Sequence, residues 1–176
     1  LGYEIYTSPQ FHLKLFEEIQ SSGKDFNLKF YGARALMSLR LEKSWGAWAL
    51  DFRPDFTAAE SGLDIFINWN KNFIGKEESL KEKKQGVKKK LVTMVIDTKD
   101  IDVSNDEAIL KDNKCVGYIT SGGYAHHSKK SVALGYVPIE LSKHKTRLDV
   151  EINGKLFKAH ITDKPLYDAN GGKMKS

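Results

Sequence analysis

The sequence has little cysteine, proline or arginine, and it has no long hydrophobic run. Its one cysteine, Cys115, cannot form an intramolecular disulfide bond, which indicates a reducing compartment. No apolar run approaches the roughly 20 residues that a helix needs to cross a bilayer, and the first residues lack the charged and then apolar pattern of a signal segment. These absences argue against a disulfide-stapled scaffold and a membrane protein. We expect a protein of the cytoplasm, or of the mitochondrial matrix in a eukaryote.

Lysine is the residue that the chain has in excess. Only four of its 28 basic residues are arginine, and the formal net charge is +5. The lysines are densest at Lys76, Lys81, Lys83, Lys84, Lys88, Lys89 and Lys90. Such a run can bind nucleic acid, but no aromatic residues interleave with these lysines, as a base-stacking platform would require. We therefore expect a solvated helix end and loop, without a nucleic-acid partner.

The first half of the chain predicts one strand and three helices. An aromatic and apolar strand is predicted over Gly2–Tyr6, and Pro9 opens a helix whose apolar stripe ends near Gly23. Two further helices are predicted over 32–43 and 76–85. Because the strand pattern is under way at once, and the first residue is Leu1 instead of Met, we expect a fragment of a longer protein.

The second half predicts an antiparallel barrel or a jelly-roll-like domain. Short alternating segments predict strands at Leu91–Ile96, Glu107–Leu110, Lys114–Ile119, Ser131–Val137, Arg147–Ile152 and Lys155–Ile161. Asp112-Asn113 and Asn153-Gly154 are typical hairpin turns, the second being the favoured type I′ pair. The change of pattern places a boundary near residue 88.

The stretch Gly117–Pro138 predicts a strand, a turn and a second strand. Gly122 and Gly123 mark a bend that no side chain would fit. Ser121 lacks the flanking pattern of a nucleophile elbow. The adjacent pair His126-His127 would point to opposite faces of a strand, so we expect no shared metal ion and assign no catalytic residue here.

Glu4 and Arg34 are the candidate binding residues. Glu4 interrupts an otherwise apolar and aromatic segment, where an ionised carboxylate needs a partner. Arg34 stands at the start of a predicted helix, where a cation gains nothing from the helix dipole. Two alternatives remain at this point. The two residues form an ion pair, or the carboxylate accepts hydrogen bonds from a planar aminopyrimidine while the guanidinium engages an anionic group.

Six segments together resemble a known family. In chain order they are Gly2-Tyr3-Glu4-Ile5, Gly32-Ala33-Arg34-Ala35-Leu36 with Leu39-Arg40-Leu41-Glu42-Lys43, Glu60-Ser61-Gly62-Leu63, Asn72-Phe73-Ile74-Gly75-Lys76-Glu77, Val116-Gly117-Tyr118-Ile119-Thr120-Ser121-Gly122 and Gly135-Tyr136-Val137-Pro138. They resemble the aminomethyltransferase family, which contains the T protein of the glycine cleavage system and the folate-binding C-terminal part of dimethylglycine and sarcosine dehydrogenases. Trp45, Trp48 and the closing segments 165–168 and 171–174 look more like the dehydrogenase branch.

The resemblance implies a tetrahydrofolate site. In the family the glutamate of the Gly-Tyr-Glu motif, here Glu4 beside Tyr3, hydrogen-bonds the pterin, and the arginine of the Gly-Ala-Arg motif, here Arg34, lies at the folate pocket. The family's catalytic aspartate lies upstream of the positions present here, so the resemblance assigns this chain no catalytic residue. FAD would belong only to an N-terminal domain that the dehydrogenases carry and this chain lacks.

The resemblance also implies the organisation of the chain. The expected fold class is α+β, with a partial α/β folate-binding domain over residues 1–88 and a C-terminal β-barrel domain over residues 89–170. The expected function is transfer of a one-carbon unit from an aminomethyl donor of glycine, dimethylglycine or sarcosine type to tetrahydrofolate. The expected partners are folate and the remaining N-terminal part of the same protein, with no membrane. The alternative is a non-catalytic folate-binding or interaction module.

Overall fold

The described residues before the barrel, 3–88, form helices and irregular segments and contain no strand. The fold is that of a computed structural model, which describes residues 3–175. A 3-10 turn at Pro9–Phe11 leads into α1 (His12–Gly23), and a second 3-10 turn (Lys24–Phe26) ends at Asn27, whose φ of 54° is left-handed. The prediction of an opening strand is wrong for its described residues, 3–6, because no neighbouring strand pairs with them; Gly2 lies outside the described residues.

The two other predicted helices are confirmed. They are α2 (Ala33–Glu42) and α3 (Lys76–Gln85). The first turn of α3 holds two glutamates and its last turn two lysines, which complements the helix dipole. Gly86 follows α3 with a φ of 83°, a conformation that glycine adopts without steric cost.

A closed six-stranded antiparallel barrel forms the second half and confirms the predicted fold class. Its strands are β1 (Lys89–Ile96), β2 (Ala108–Lys111), β3 (Lys114–Ala125), β4 (Lys130–Pro138), β5 (Arg147–Ile152) and β6 (Lys155–Thr162), in the order β1-β4-β3-β2-β5-β6. A last 3-10 turn (Ile139–Leu141) follows β4, and a short helix, α4 (Gly172–Lys175), ends the described chain. The hairpin Asn153-Gly154 has φ of 48° and 74°, as a type I′ turn requires.

Alternating side chains divide the buried residues between the two faces of the barrel wall. The barrel interior is filled mainly by aliphatic side chains, such as Met94, Ile109 and Ile119, which are fully buried. On the outer face, Val132 and Leu134 pack with Leu41 of α2. The helix therefore covers one side of the barrel, and the last two residues of the helix are buried in the interface between them.

The hairpin of β3 and β4 follows the predicted order, but its glycines lie inside β3 instead of at the turn. A Cβ atom at Gly122 would lie 2.6 Å from Cγ1 of Val103 and 2.9 Å from its carbonyl oxygen. The prediction that no side chain fits at Gly122 is therefore confirmed. The chain reverses after Ala125, in a turn that contains both His126 and His127.

Residues 3–75 leave much apolar surface uncovered. Neither α1 nor the two 3-10 turns beside it contains a buried residue. Large side chains of this part are exposed, including Tyr6, Phe26 and Phe30 at 86%, 85% and 59%. An apolar area of this extent is typical of a surface that another polypeptide segment covers. Within residues 3–175, no helix combines the length and the hydropathy needed to span a membrane.

Candidate functional site

Tyr3 and Glu4 lie on the surface, in the irregular segment before α1. Tyr3 is 81% exposed and Glu4 is also exposed. The Tyr6 hydroxyl donates a hydrogen bond of 2.6 Å to Oε2 of Glu4, and this bond raises the pKa of the Tyr6 phenol above its ordinary value. The carboxylate keeps further acceptor sites, since one oxygen alone can accept two hydrogen bonds.

Arg34 occupies the second position of α2 and is also exposed. No ion pair between Arg34 and Glu4 occurs within residues 3–175, so the first of the two alternatives for these residues is not formed. The structure thus places the three predicted residues on open surface and does not join them in a closed pocket. Both charges stay accessible to a ligand.

The opposite end of α2 is fastened to the barrel by a buried carboxylate. Asp51 is fully buried, and its Oδ2 accepts hydrogen bonds of 2.8 Å from Nη1 of Arg40 and 2.8 Å from the amide of Ala47. Its Oδ1 accepts from the hydroxyls of Thr120 and Ser121, both on β3. One carboxylate therefore links α2, the following loop and the barrel wall.

Tyr136 on β4 extends this network. Its hydroxyl donates to the carbonyl oxygen of Asp51 at 3.0 Å and lies 2.7 Å from the hydroxyl of Ser61. The Phe56 ring stacks on the Tyr136 ring, with centroids 3.4 Å apart and planes 8° from parallel. The irregular segment between α2 and α3 is thereby held against the barrel by both polar and aromatic contacts.

Glu42 closes α2 on the β3–β4 turn. This side chain is 2% exposed, and its two oxygens accept from the amide of His127 at 2.9 Å and from the amide and hydroxyl of Ser128 at 3.2 and 2.7 Å. The backbone carbonyl of Glu42 accepts from the amide of Tyr167 at 3.1 Å. The next residue, Lys43, donates to the carbonyl oxygen of Asp168 at 2.7 Å. The C-terminal segment is therefore tied to the same point.

None of these anchoring roles is predicted by the sequence patterns. One usable indication was present, since Asp51 is an isolated carboxylate among Trp48, Leu50 and Phe52, and a carboxylate buried by such neighbours must be paired. Its partners could not be named, because Thr120 and Ser121 lie about 70 positions further along the chain.

Two negative predictions concern the β3–β4 hairpin. Ser121 is buried, and its hydroxyl donates a hydrogen bond to Asp51, so it takes part in the contact between β3 and the loop after α2. The His127 ring packs edge-on against Tyr167 and the His126 ring against Tyr124. In the described part of the chain, no group of three or more His, Cys, Asp or Glu side chains is arranged to hold a metal ion.

The Tyr136 network predicts a loss of stability at alkaline pH. Burial, and next the charge of Asp51, raise the pKa of Tyr136 above 10.0, although the hydrogen bond with Ser61 acts in the opposite direction. The folded protein therefore keeps the phenol proton when the unfolded chain has lost it, so stability falls as the pH rises above about 10. We expect the slope of melting temperature against pH between about 9 and 11 to be shallower in Tyr136→Phe. Equal slopes in the two proteins would contradict this origin.

Comparison with known families identifies both halves of the chain. The model described as "Glycine cleavage T-protein C-terminal barrel domain" matches residues 89–168. The model described as "GCVT N-terminal domain" matches residues 1–71. The two matches do not overlap, and the match over residues 89–168 contains the six-stranded barrel.

Individual relatives agree with these matches. The mitochondrial dimethylglycine dehydrogenase of Mus musculus is 38% identical over 168 residues, which are 94% of this chain and 19% of that protein. The aminomethyltransferase of Caldanaerobacter subterraneus subsp. tengcongensis is 35% identical over 170 residues, which are 96% of this chain and 45% of that protein. The chain thus spans about a fifth of one relative and less than half of the other.

A solved structure shares the fold. The crystal structure of glycine cleavage system aminomethyltransferase T from Bartonella henselae superposes with a TM-score of 0.79 at 24% identity, over 90% of this chain and 44% of that one. The family matches on both halves of the chain are consistent with this shared fold. The chain belongs to the aminomethyltransferase family of glycine cleavage T proteins.

Proposed function

We propose that this chain forms one wall of the tetrahydrofolate site of an aminomethyltransferase-like protein. The reaction would transfer a one-carbon unit from an aminomethyl donor of glycine, dimethylglycine or sarcosine type to tetrahydrofolate. The observation that carries the proposal is the similarity along nearly the whole chain to both kinds of enzyme, at 35–38% identity. Tetrahydrofolate would supply the acceptor for the one-carbon unit, and the residues present here would bind and orient it.

The surroundings of Glu4 fit the proposed role in pterin binding. A pterin presents a flat row of N–H donors, and a carboxylate can accept two of them side by side. Glu4 has one described partner, the Tyr6 hydroxyl, and no cation neutralises it among residues 3–175. Tyr3 and Tyr6 are 81% and 86% exposed beside it, so aromatic surface is available for a flat ring.

Arg34 fits the proposed role in binding an anionic part of folate. A guanidinium can form paired hydrogen bonds with a carboxylate. Its neighbour on α2, Arg40, is neutralised by Asp51 at 2.8 Å, whereas Arg34 has no carboxylate partner among the described residues. The helix thus uses one arginine to attach itself to the barrel and leaves the other at its free end.

The remaining N-terminal part of the same protein is the proposed partner. The uncovered apolar surface of α1 and its neighbours needs another segment to bury it, and the relatives are at least twice as long as this chain. The GCVT N-terminal domain is matched over residues 1–71, the same part that exposes this surface. We expect that segment to supply the other wall of the pocket and the residues that perform the chemistry.

Calorimetric titration of the chain with tetrahydrofolate tests the proposal. We expect saturable binding, and a loss of about tenfold or more in affinity for Glu4→Ala and for Arg34→Ala, because each removes a charged hydrogen-bonding partner. Added salt should weaken the binding of tetrahydrofolate to the unaltered chain if Arg34 engages an anionic group, because ions screen the attraction between the two charges.

Matched controls separate the site from general effects of charge. Glu17→Ala and Lys24→Ala remove exposed charges of the same signs from the α1 region and should leave the affinity unchanged. Equal affinities for the intact chain, Glu4→Ala and Arg34→Ala would reject the assignment of these residues. Folate binding by this chain, without turnover when the rest of the protein is supplied, would favour the binding-module alternative.

A further inference from the structure

A concave site lies on the barrel, apart from the predicted folate residues. It is a cleft of about 850 Å³, and all of its lining residues lie between Val95 and His160. It follows a row of directly paired positions across four strands, from Ser131 to Ile96, Ala159 and Leu148. No described residue before Val95 lines it, so it does not share side chains with the site of Glu4 and Arg34.

The cleft is strongly basic. Six cationic side chains line it, together with three carboxylates. Lys158 pairs with Asp149 at 2.7 Å and Lys111 with Asp112 at 3.9 Å. The other four cations form no salt bridge within residues 3–175: Lys129, Lys130, Lys145 and Arg147. Because the cations outnumber the carboxylates, the concavity carries a positive potential that attracts anions.

Ser131 supplies an independent indication of a missing partner. This residue lines the cleft and is only 3% exposed, yet its hydroxyl oxygen has no hydrogen-bond partner in the described part of the chain. A buried hydroxyl without a partner is costly and is uncommon in native proteins. An anionic ligand in the cleft would accept a hydrogen bond from this hydroxyl while the cations neutralise its charge.

Two of the four unpaired cations occupy unfavourable backbone positions. Lys129 has a φ of 54° and Lys145 a φ of 64°, values at which glycine or asparagine would be less strained. The chain thus presents lysine at two turns where local conformation favours other residues.

From these observations we infer that the barrel cleft binds a small ligand that carries an oligophosphate group. Phosphate oxygens accept hydrogen bonds in several directions at once, which suits a hydroxyl, a guanidinium and several ammonium groups better than a planar carboxylate does. The volume lies within the range of small-molecule sites and exceeds what a single phosphate needs. Tyr124, 38% exposed at the same cleft, offers a ring face to a base if the source is a nucleotide.

Calorimetry with inorganic tripolyphosphate tests the inference on the full chain. We expect one saturable site, and a loss of at least tenfold in affinity for the double variant Lys130→Glu with Arg147→Glu. The control Lys81→Glu with Lys84→Glu changes the net charge equally on α3, outside the cleft, and should alter the affinity less than twofold. A nucleoside triphosphate in a parallel titration distinguishes the sources. If the nucleoside triphosphate binds more tightly than tripolyphosphate, the ligand is a nucleotide. If the two bind equally, the ligand is a free oligophosphate.

Ser131→Ala distinguishes a ligand-binding role from a structural one. Because the hydroxyl has no partner among residues 3–175, its removal should leave the melting temperature unchanged or raise it, while the affinity for tripolyphosphate falls about tenfold. The inference is overturned if tripolyphosphate gives no saturable binding at millimolar concentration, or if the α3 control weakens binding as much as the cleft variant. Equal affinity for citrate, a tricarboxylate, would overturn the assignment of phosphate.

Discussion

Replacement of Asp51 by alanine is expected to lower the free energy of unfolding by about 3–5 kcal/mol. The carboxylate is fully buried and pairs with Arg40, whose side chain is only 10% exposed. Its removal leaves that guanidinium buried without a counter-charge and leaves the hydroxyls of Thr120 and Ser121 without their acceptor. Urea denaturation followed by circular dichroism measures the change as a lower midpoint at constant slope.

Two companion variants sharpen the Asp51 test. Asp51→Asn keeps acceptor oxygen but loses the charge and turns an amide donor toward Arg40 or the hydroxyls, so an intermediate loss is expected. Asp55→Ala removes a carboxylate that also pairs with an arginine, Arg53, at 3.2 Å, but these side chains are 59% and 38% exposed, far more than those of Asp51 and Arg40. The expected cost is about 0–1 kcal/mol. A similar cost for Asp51→Ala would show that the buried network does not hold α2 to the barrel.

Replacement of Glu42 by alanine is expected to lower the free energy of unfolding by about 2–4 kcal/mol. The amides of His127 and Ser128 and the Ser128 hydroxyl, which now donate to the carboxylate, would lose their acceptor. The loss should be localised. Hydrogen exchange should accelerate first at His127 and Ser128, before it accelerates in β3 and β4.

Two further variants test the Glu42 contact. Glu42→Gln preserves one acceptor oxygen and should recover part of the lost stability. Glu18→Ala removes an exposed glutamate that pairs with Lys14 within α1 at 2.7 Å, and it should cost about 0.5 kcal/mol or less. Unchanged exchange at the turn in Glu42→Ala would contradict the proposed contact.

The contacts of Asp51 and Glu42 with α2 also affect the proposed folate site. Arg40 and Glu42 hold the last turn of α2 to the barrel, while Arg34 stands one and a half turns or more away at the exposed end. The barrel therefore sets the direction of the helix that carries Arg34. A variant of Asp51 that folds should weaken folate binding through the orientation of Arg34, and it should leave the barrel cleft intact.

Local patterns were sufficient for most of the elements. Asn153-Gly154 predicted its hairpin because the required positive φ values restrict the choice of residues. The helix over 76–85 was predicted with its observed bounds, since Gly86 ends it and its charges follow the dipole. Strand β3 was predicted too short, because Gly122 and Gly123 suggested a bend where the chain in fact continues as a strand.

Other features depended on contacts between distant residues. The segment 3–6 has the composition of a strand, yet it remains irregular because none of the described residues offers it a neighbouring strand. The roles of Asp51 and Glu42 depend on β3 and on the turn after it, about 70 to 86 positions away. Spacing along the chain gives no information on such pairings.

By itself, the sequence determined the family, the α+β class, the helices and the six barrel strands, because periodicity, turn residues and short motifs are local properties. Only the tertiary structure decided which strands are neighbours, how α2 is attached to the barrel, and where unpaired charge collects. These depend on which side chains a closed barrel brings together. Arg40 and Arg34 illustrate the difference, since they are equivalent arginines on one helix until burial pairs one with Asp51 and leaves the other on the surface.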